Sequence, residues 1–305
     1  MRAALIPAYN EESRIAPVIL KARKHVDLVI VCDDGSSDMT SEVARDLGAV
    51  VVKHPKNMGY GAALRTLFLE ALRRNVDVAV TLDADGQHDP GFIPSLVEPI
   101  ERGEADVVIG SRFMQGGGAP GMSPLRRLAL RFLNWFGRKA VNLDIRDTQS
   151  GMRAYSKRAL EVAADAMERG MAVSYGILKE LAKAGLRVKE VPITVTYGGV
   201  KPSKNPVLHF SELVGTLLRI ILEERPLLYL GLPGVSLVLV GLYFGWWALN
   251  LYLSSRYFSV PMALISVGSS IAGFLLIITS FQLYVIAKIR MEIRRLREVL
   301  GREGR

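Results

Sequence analysis

The sequence predicts an α/β fold with a mostly parallel sheet, followed by a two-helix membrane hairpin. Three observations lead there. Short apolar runs alternate with helical stretches over the first two thirds of the 305 residues, polar residues gather at the ends of those runs, and two long stretches near the C-terminus carry no charge.

The elements follow in order. Ala3 to Pro7 reads as a short buried strand, followed by a loop at Ala8 to Glu12 and a helix over Ser13 to Lys24. Asp27 to Cys32 is a second strand, stopped by Asp33-Asp34-Gly35-Ser36. A helix over Met39 to Leu47, a strand over Val50 to Lys53 and a Gly-rich loop at Asn57 to Gly61 come next. Then follow helix Ala62 to Arg73, strand Val76 to Leu82, helix Pro90 to Arg102 and strand Asp106 to Ile109. Strands alternating with helices of about 10 to 15 residues argue for right-handed βαβ units. In such sheets ligands bind beyond the carboxyl ends of the strands. Here those ends carry Pro7, Asp33-Asp34, Asp83-Ala84-Asp85 and Gly110-Ser111-Arg112.

The composition changes at Leu227. Leu227 to Leu249 and Pro261 to Ala287 contain no Asp, Glu, Lys or Arg. Each is long enough for a hydrocarbon core of roughly 30 Å, which takes about 20 helical residues; a buried soluble hairpin is the alternative. The joining segment has Arg256 as its only charge, and Trp246, Trp247, Tyr252 and Tyr257 suit the far interface. A basic segment from Lys288 follows the second span, so the positive-inside rule puts the large domain and both termini in the cytoplasm of a multi-pass cell-membrane protein. The expected organisation is a domain over 1–204, an amphipathic interface helix over 205–226, the hairpin over 227–287 and a basic tail over 288–305. The apolar run at Ala3 to Ile6 is too short for a signal peptide, and the lone Cys32 fits a reducing compartment. A net charge of +9 and a pI near 9.7 are read as attraction to an anionic lipid surface rather than to nucleic acid.

Asp83-Ala84-Asp85-Gly86-Gln87 is the strongest chemical signal. Two carboxylates around one small residue, directly after an apolar strand, suit Mg²⁺ or Mn²⁺, which take carboxylates together with substrate phosphate oxygens. The local alternative is a cap and an Asx turn. Around this motif stand Ile6 to Glu12, Asp33 to Asp38, Asn57 to Gly61, Gly110-Ser111-Arg112, Asp147 to Gly151 and Pro202-Ser203-Lys204. In these residues, over about 3 to 225, the chain resembles the inverting family-2 glycosyltransferases of GT-A fold, and within them the dolichol-phosphate mannose and glucose synthase group.

The resemblance implies a GT-A catalytic domain in which Pro7, Tyr9, Glu11, Cys32 and Asp34 hold the donor nucleotide. It also implies that Asp83 and Ala84 touch the nucleotide, that Asp85 and Gln87 bind the metal, and that Lys204 lies near the donor phosphates. Local roles in turns and packing are the alternatives for Tyr9, Glu11 and Asp34, and no ligand is assigned to Gly59 or Gly61. Arg112 suits a phosphate, or a neighbouring carboxylate. Asp83, Asp85 and Arg112 form the expected catalytic set.

Ser123 to about Val141 looks like a helix with Ser at the N-cap and Pro at N1. Leu125, Leu128, Phe132 and Trp135 share one stripe, and Arg127, Arg131 and Arg138 another, so the helix suits either a lipid interface or packing on the domain. Arg112, Arg126, Arg127 and Lys201 are the candidates for an acceptor phosphate, with Arg126 the nearest positional match to the family. A phosphate acceptor is its own nucleophile and needs no base, so Asp147 and Gln149 are read as structural or orienting. Gly198 stands where mannose synthases usually carry arginine, which leaves the donor open between GDP-mannose and UDP-glucose. The implied reaction is inverting transfer of a hexose, mannose or glucose, to dolichyl or polyprenyl phosphate at the bilayer; homo-oligomerisation stays open. A processive polysaccharide synthase would carry a Q-x-x-R-W motif, absent here. A non-catalytic tether for carrier lipids would not need the acidic motifs.

Overall fold

The computed structural model describes residues 1–141, 143–168, 173–197 and 227–303, and it divides into two units, Met1–Lys201 and Pro202–Arg305. Lys201, Lys204, Gly198 and the expected interface helix over 205–226 lie outside the described residues.

The first unit is a mixed α/β layer structure. Its strands are β1 (Arg2–Ala8), β2 (Leu28–Asp33), β3 (Val50–Lys53), β4 (Val78–Thr81), β5 (Val107–Ser111), β6 (Arg153–Ser156) and β7 (Val188–Pro192). The helices are α1 (Ile15–Ala22), α2 (Thr40–Asp46), α3 (Tyr60–Arg73), α4 (Ile93–Glu101), α5 (Pro124–Val141), α6 (Lys157–Glu168) and α7 (Val173–Lys183). The seven strands stand in the order β3-β2-β1-β4-β6-β5-β7. All run parallel except β6, which pairs antiparallel with both β4 and β5.

Alternation along the strands divides the core between the two sheet faces. Leu5, Ile30 and Cys32 face Leu67, Phe68, Tyr155, Leu160 and Leu178 on one side, while Ile6, Val31 and Val80 face Ile15, Ile19, Ile93 and Leu96 on the other. Helix α3 shows why its sequence folds this way: Ala63, Leu64, Leu67, Phe68 and Ala71 recur at helical spacing and are all buried. Burying a side chain such as Phe68 contributes about 1.5–3 kcal/mol.

The antiparallel β6 is one of the elements the periodicity did not reveal, with α6, α7 and β7. It is four residues long and begins with the buried Arg153, whose guanidinium donates to the carbonyls of Ser150 (2.9 Å) and Thr148 (2.7 Å). A charge in so short a run hides a strand. Its direction matters, because the entry of β6 lies at the edge where β4 and β5 end. Thr81 Oγ1 donates to the Gly151 carbonyl at 2.7 Å, fastening the Asp147–Gly151 loop to the end of β4.

The second unit contains α8 (Leu232–Ser255), entered through a π-turn at Leu227–Gly231, and α9 (Val260–Glu303). Both are long and apolar enough to cross a membrane. Helix α8 runs past the expected end at Leu249, because Asn250 and Ser255 bond back to the carbonyls of Trp246 and Leu251 without breaking the helix. Arg256, in the left-handed conformation, closes it. Helix α9 continues through the basic segment, which is thus an extension of the second span. Glycines let the two helices approach: a Cβ at Gly273 would lie 2.6 Å from the carbonyl oxygen of Gly234. Ser266 also donates to the Gly241 carbonyl across the pair, at 2.8 Å. Close approach of small residues and interhelical hydrogen bonds are the forces left to helices surrounded by lipid.

Candidate active site

The loops after β1 and β2 are sewn together by their own polar groups. Asn10 N–H donates to Ser36 Oγ (2.9 Å), Ser37 N–H to Asn10 Oδ1 (2.9 Å) and Glu11 N–H to Thr40 Oγ1 (2.9 Å). Asp33, completely buried, accepts from Ser36 N–H at 2.8 Å and from the Ser41 hydroxyl. Burial alone would raise its carboxyl, but these hydrogen bonds bring it below the usual range.

Asp34 is equally committed. It accepts from Met58 N–H (2.9 Å), Gly59 N–H (2.7 Å) and His54 Nδ1 (2.7 Å). His54 Nε2 in turn lies 2.8 Å from Thr66 Oγ1 and 3.5 Å from Cys32 Sγ. The Gly-rich loop is thereby clipped onto the Asp-Asp-Gly-Ser turn. Gly35 makes room for it: with φ at +77° it leaves no space for a Cβ, which would fall 2.5 Å from the Lys56 backbone. Cys32, His54 and Asp34 line up like a nucleophilic triad, yet the thiol is fully buried and burial pushes it up to about 12. It is inert, and its side chain points into the core and not to the open sheet edge, because residue 32 sits on the α3 face of β2. Pro7 is buried at the end of β1, whereas Tyr9 is exposed and Glu11 half-exposed.

At the end of β4, Asp83 Oδ1 accepts from Tyr60 Oη at 3.2 Å. The buried His88 sets Nδ1 3.3 Å from Asp83 Oδ2, outside hydrogen-bond geometry. Gly151 closes in from the β6 side, where a Cβ would lie 2.8 Å from the same Oδ2. Asp85 Oδ1 accepts from Gln87 N–H at 2.9 Å, so the Asx turn exists. One such bond still leaves a carboxylate most of its lone pairs. Ala84 is buried between the two acids.

Burial raises the carboxyl of Asp85, and the charge of Asp83 adds to it. Burial likewise raises Glu11, with Asp85 and Asp38 adding and Arg14 opposing. Acids held up by burial and by one another fit a divalent cation, which would relieve both effects. Among the described residues no group of three or more His, Cys, Asp or Glu forms a complete metal cage.

At the end of β5, Arg112 meets Asp147 by both prongs, Nε to Oδ2 and Nη2 to Oδ1, each at 2.7 Å. Both residues are buried. Burial works against the guanidinium charge, but the hydrogen bonds and charge of Asp147 raise its pKa overall. The third nitrogen, Nη1, donates to Tyr197 Oη at 2.6 Å. The ring of Tyr197 carries Arg126, whose guanidinium carbon stands 4.6 Å from the ring centroid. Of the two readings open for Arg112, the carboxylate pair is the one formed.

On α5, Leu130 and Asn134 are buried, while Arg127, Arg131, Arg138, Leu128 and Trp135 are exposed, the last two at 67% and 53%. The side chains of Leu125 and Phe132 lie outside the described ones. Tyr60, His88, His54 and Tyr197 were not singled out in the sequence; only His88, directly after Gln87, carried a positional hint.

The family model described as glycosyl transferase family 2 matches residues 3–163. The chain belongs to this family. Among the relatives of this family-2 member, UDP-N-acetylglucosamine–dolichyl-phosphate N-acetylglucosaminyltransferase of Methanococcus voltae is 31% identical, the match covering 63% of this chain and 84% of that protein. Polyprenol monophosphomannose synthase of Mycolicibacterium smegmatis is 34% identical over 63% of this chain and 76% of its own. In fold, the chain is similar to glucosyl-3-phosphoglycerate synthase from Mycobacterium tuberculosis, solved with Mn²⁺, UDP and glucosyl-3-phosphoglycerate. The TM-score is 0.52 at 22% identity, over 73% of this chain and 79% of that one.

Proposed function

We propose that this glycosyltransferase moves a hexose, mannose or glucose, from GDP-mannose or UDP-glucose to dolichyl or polyprenyl phosphate, with inversion at the anomeric carbon. One observation carries the reading: acids suited to a cation and arginines suited to an anion sit at neighbouring loops of one sheet edge. The names of the relatives, which act on dolichyl phosphate or make polyprenol monophosphomannose, support it.

Pro7, Tyr9, Glu11 and Asp34, with the backbone at Cys32 and Ala84, form the donor nucleotide cradle in this account, and Lys204 reaches the donor phosphates. Asp85 and Gln87 would hold Mg²⁺ or Mn²⁺, with Asp83 beside them against the nucleotide. When bound, such an ion neutralises the diphosphate as it leaves. Arg126, Arg127 and Lys201 receive the acceptor phosphate, and Arg112 supports Arg126 from below. An oxygen of the lipid phosphate forms the new bond to the anomeric carbon, and the bond to the nucleoside diphosphate breaks on the opposite face. In this account Asp147 takes no proton, because a phosphate acceptor is its own nucleophile; its oxygens pair with Arg112 instead.

The two apolar helices anchor the enzyme, and the basic extension of α9 favours a cytoplasmic position for both termini and the catalytic unit. The exposed Leu128 and Trp135 between exposed arginines suit α5 to a lipid surface. The test is the Asp83→Ala, Asp85→Ala double variant. Turnover should fall by at least about 10²–10³-fold while circular dichroism stays unchanged. A double variant that remains active contradicts the reading.

A further inference from the structure

The segment after β7 ties the donor and acceptor sides together. Thr196 N–H donates to the Gln87 carbonyl at 3.3 Å, and Val195 forms a β-bridge with His88, so one side of the segment holds the candidate metal loop. Its other side holds the loop leading into α5. Gly118 N–H donates to Ile193 (3.0 Å), Val195 N–H to Gly118 (3.0 Å) and Tyr197 N–H to Pro120 (2.9 Å). The backbone of Tyr197 is thereby fixed, and its side chain makes the two contacts described above, to Arg112 through the hydroxyl and to Arg126 through the ring face.

A long arginine on the first turn of a helix has many rotamers, and holding it in one has an entropic cost. A ring beneath its planar guanidinium offsets that cost while leaving the edge of the guanidinium, with its N–H groups, open to an anion. The ring needs its own support, and the buried Arg112–Asp147 pair supplies it through Nη1. We propose that Tyr197 is a positioning residue that holds the Arg126 guanidinium ready for the acceptor phosphate, linking it to the buried Arg112–Asp147 pair. The inference rests on the acceptor role given to Arg126 above.

The experiment uses the full chain in detergent micelles with a short-chain polyprenyl phosphate and the accepted nucleotide sugar. Tyr197→Ala should raise the KM for the lipid phosphate about tenfold, with the donor KM within about twofold of the original. Tyr197→Phe keeps the ring under Arg126 but loses the hydroxyl bond to Arg112, so it should raise the acceptor KM by less than Tyr197→Ala does, with the donor KM within about twofold. The Tyr197→Ala, Arg126→Ala double variant should be no worse for the acceptor than Arg126→Ala alone, as expected when two residues act as one unit. Should Tyr197→Ala fail to fold, Arg126→Lys carries the test, because it keeps the charge, loses the planar stack and should show the same rise in acceptor KM. An unchanged acceptor KM, an equal rise in both KM values, or effects that multiply in the double variant would overturn the inference alone. An unsubstituted chain that transfers no sugar to polyprenyl phosphate overturns the functional reading and this inference with it.

Discussion

Asp147 offers both carboxylate oxygens to Arg112, one to Nε and the backbone N–H and the other to Nη2, at 2.7 to 3.0 Å. Its own N–H and that of Arg146 are held by Glu190 at 2.9 and 2.8 Å. These contacts commit the carboxylate to its loop and its arginine, which is the orienting role proposed for it.

Asp147→Asn should therefore separate stability from chemistry. It leaves Arg112 buried without its charge partner, a loss of about 3–5 kcal/mol, or roughly 10 °C in Tm. Below its melting point the variant should keep kcat within about tenfold. Asp85→Asn should lower kcat by about 10²–10³-fold instead. Equal loss of kcat in the two variants would count against the orienting role.

The raised carboxyl of Asp85 gives a pH dependence of stability with a definite sign. A carboxyl whose pKa is higher in the folded state favours folding below its unfolded pKa. That contribution disappears as pH rises through the folded value. In metal-free protein in EDTA the contribution of Asp85 to thermal stability should fall as pH rises from the acid side through that value, against the opposite contribution of lowered acids such as Asp33. Asp85→Asn should flatten this trend and raise Tm at pH 7. Thermal unfolding of both proteins across pH checks it, and a Tm gain from the substitution that does not grow as pH rises would be the wrong outcome.

His54 is predicted to matter through the loop it fastens. His54→Ala removes one of three donors to the buried Asp34, for a loss of about 1–3 kcal/mol. A lower Tm and a higher donor KM should appear together, with the acceptor KM unchanged. Replacing Cys32 with Ala should spare activity, since its thiol is inert and buried.

In the hairpin, Gly273 and Gly268 form an internal control. A side chain at Gly273 meets the Gly234 carbonyl and Val238, whereas nothing lies within 4 Å of a Cβ at Gly268. Gly273→Leu should lower the thermal stability of the full chain in detergent, and Gly268→Ala should not. Equal effects would argue against close packing of α8 on α9.

Much of this was legible in advance because it was local. Strands β1 to β5 announce themselves as apolar runs, and Asp83 and Asp85 announce chemistry by following one of them. The unread parts depend on distance along the chain. Tyr197 meets Arg112 across 85 positions and His54 meets Asp34 across 20, so no spacing rule connects them. β6 escaped because Arg153 is solvated by carbonyls inside the fold, a satisfaction that only the folded backbone provides. For Arg112 the sequence offered a phosphate or a carboxylate, and the folded chain pairs it with the buried Asp147, a fixed counter-charge that only the fold brings to it.

The most direct measurement offers membranes containing the full chain a panel of radiolabelled nucleotide sugars, GDP-mannose, UDP-glucose and UDP-N-acetylglucosamine among them, with a short polyprenyl phosphate. Mannose or glucose label should enter the lipid extract, EDTA should stop it, and the Asp83→Ala, Asp85→Ala variant should lower it by at least about 10²-fold. Label appearing only in polymer, or no label in lipid from any donor, would contradict the account.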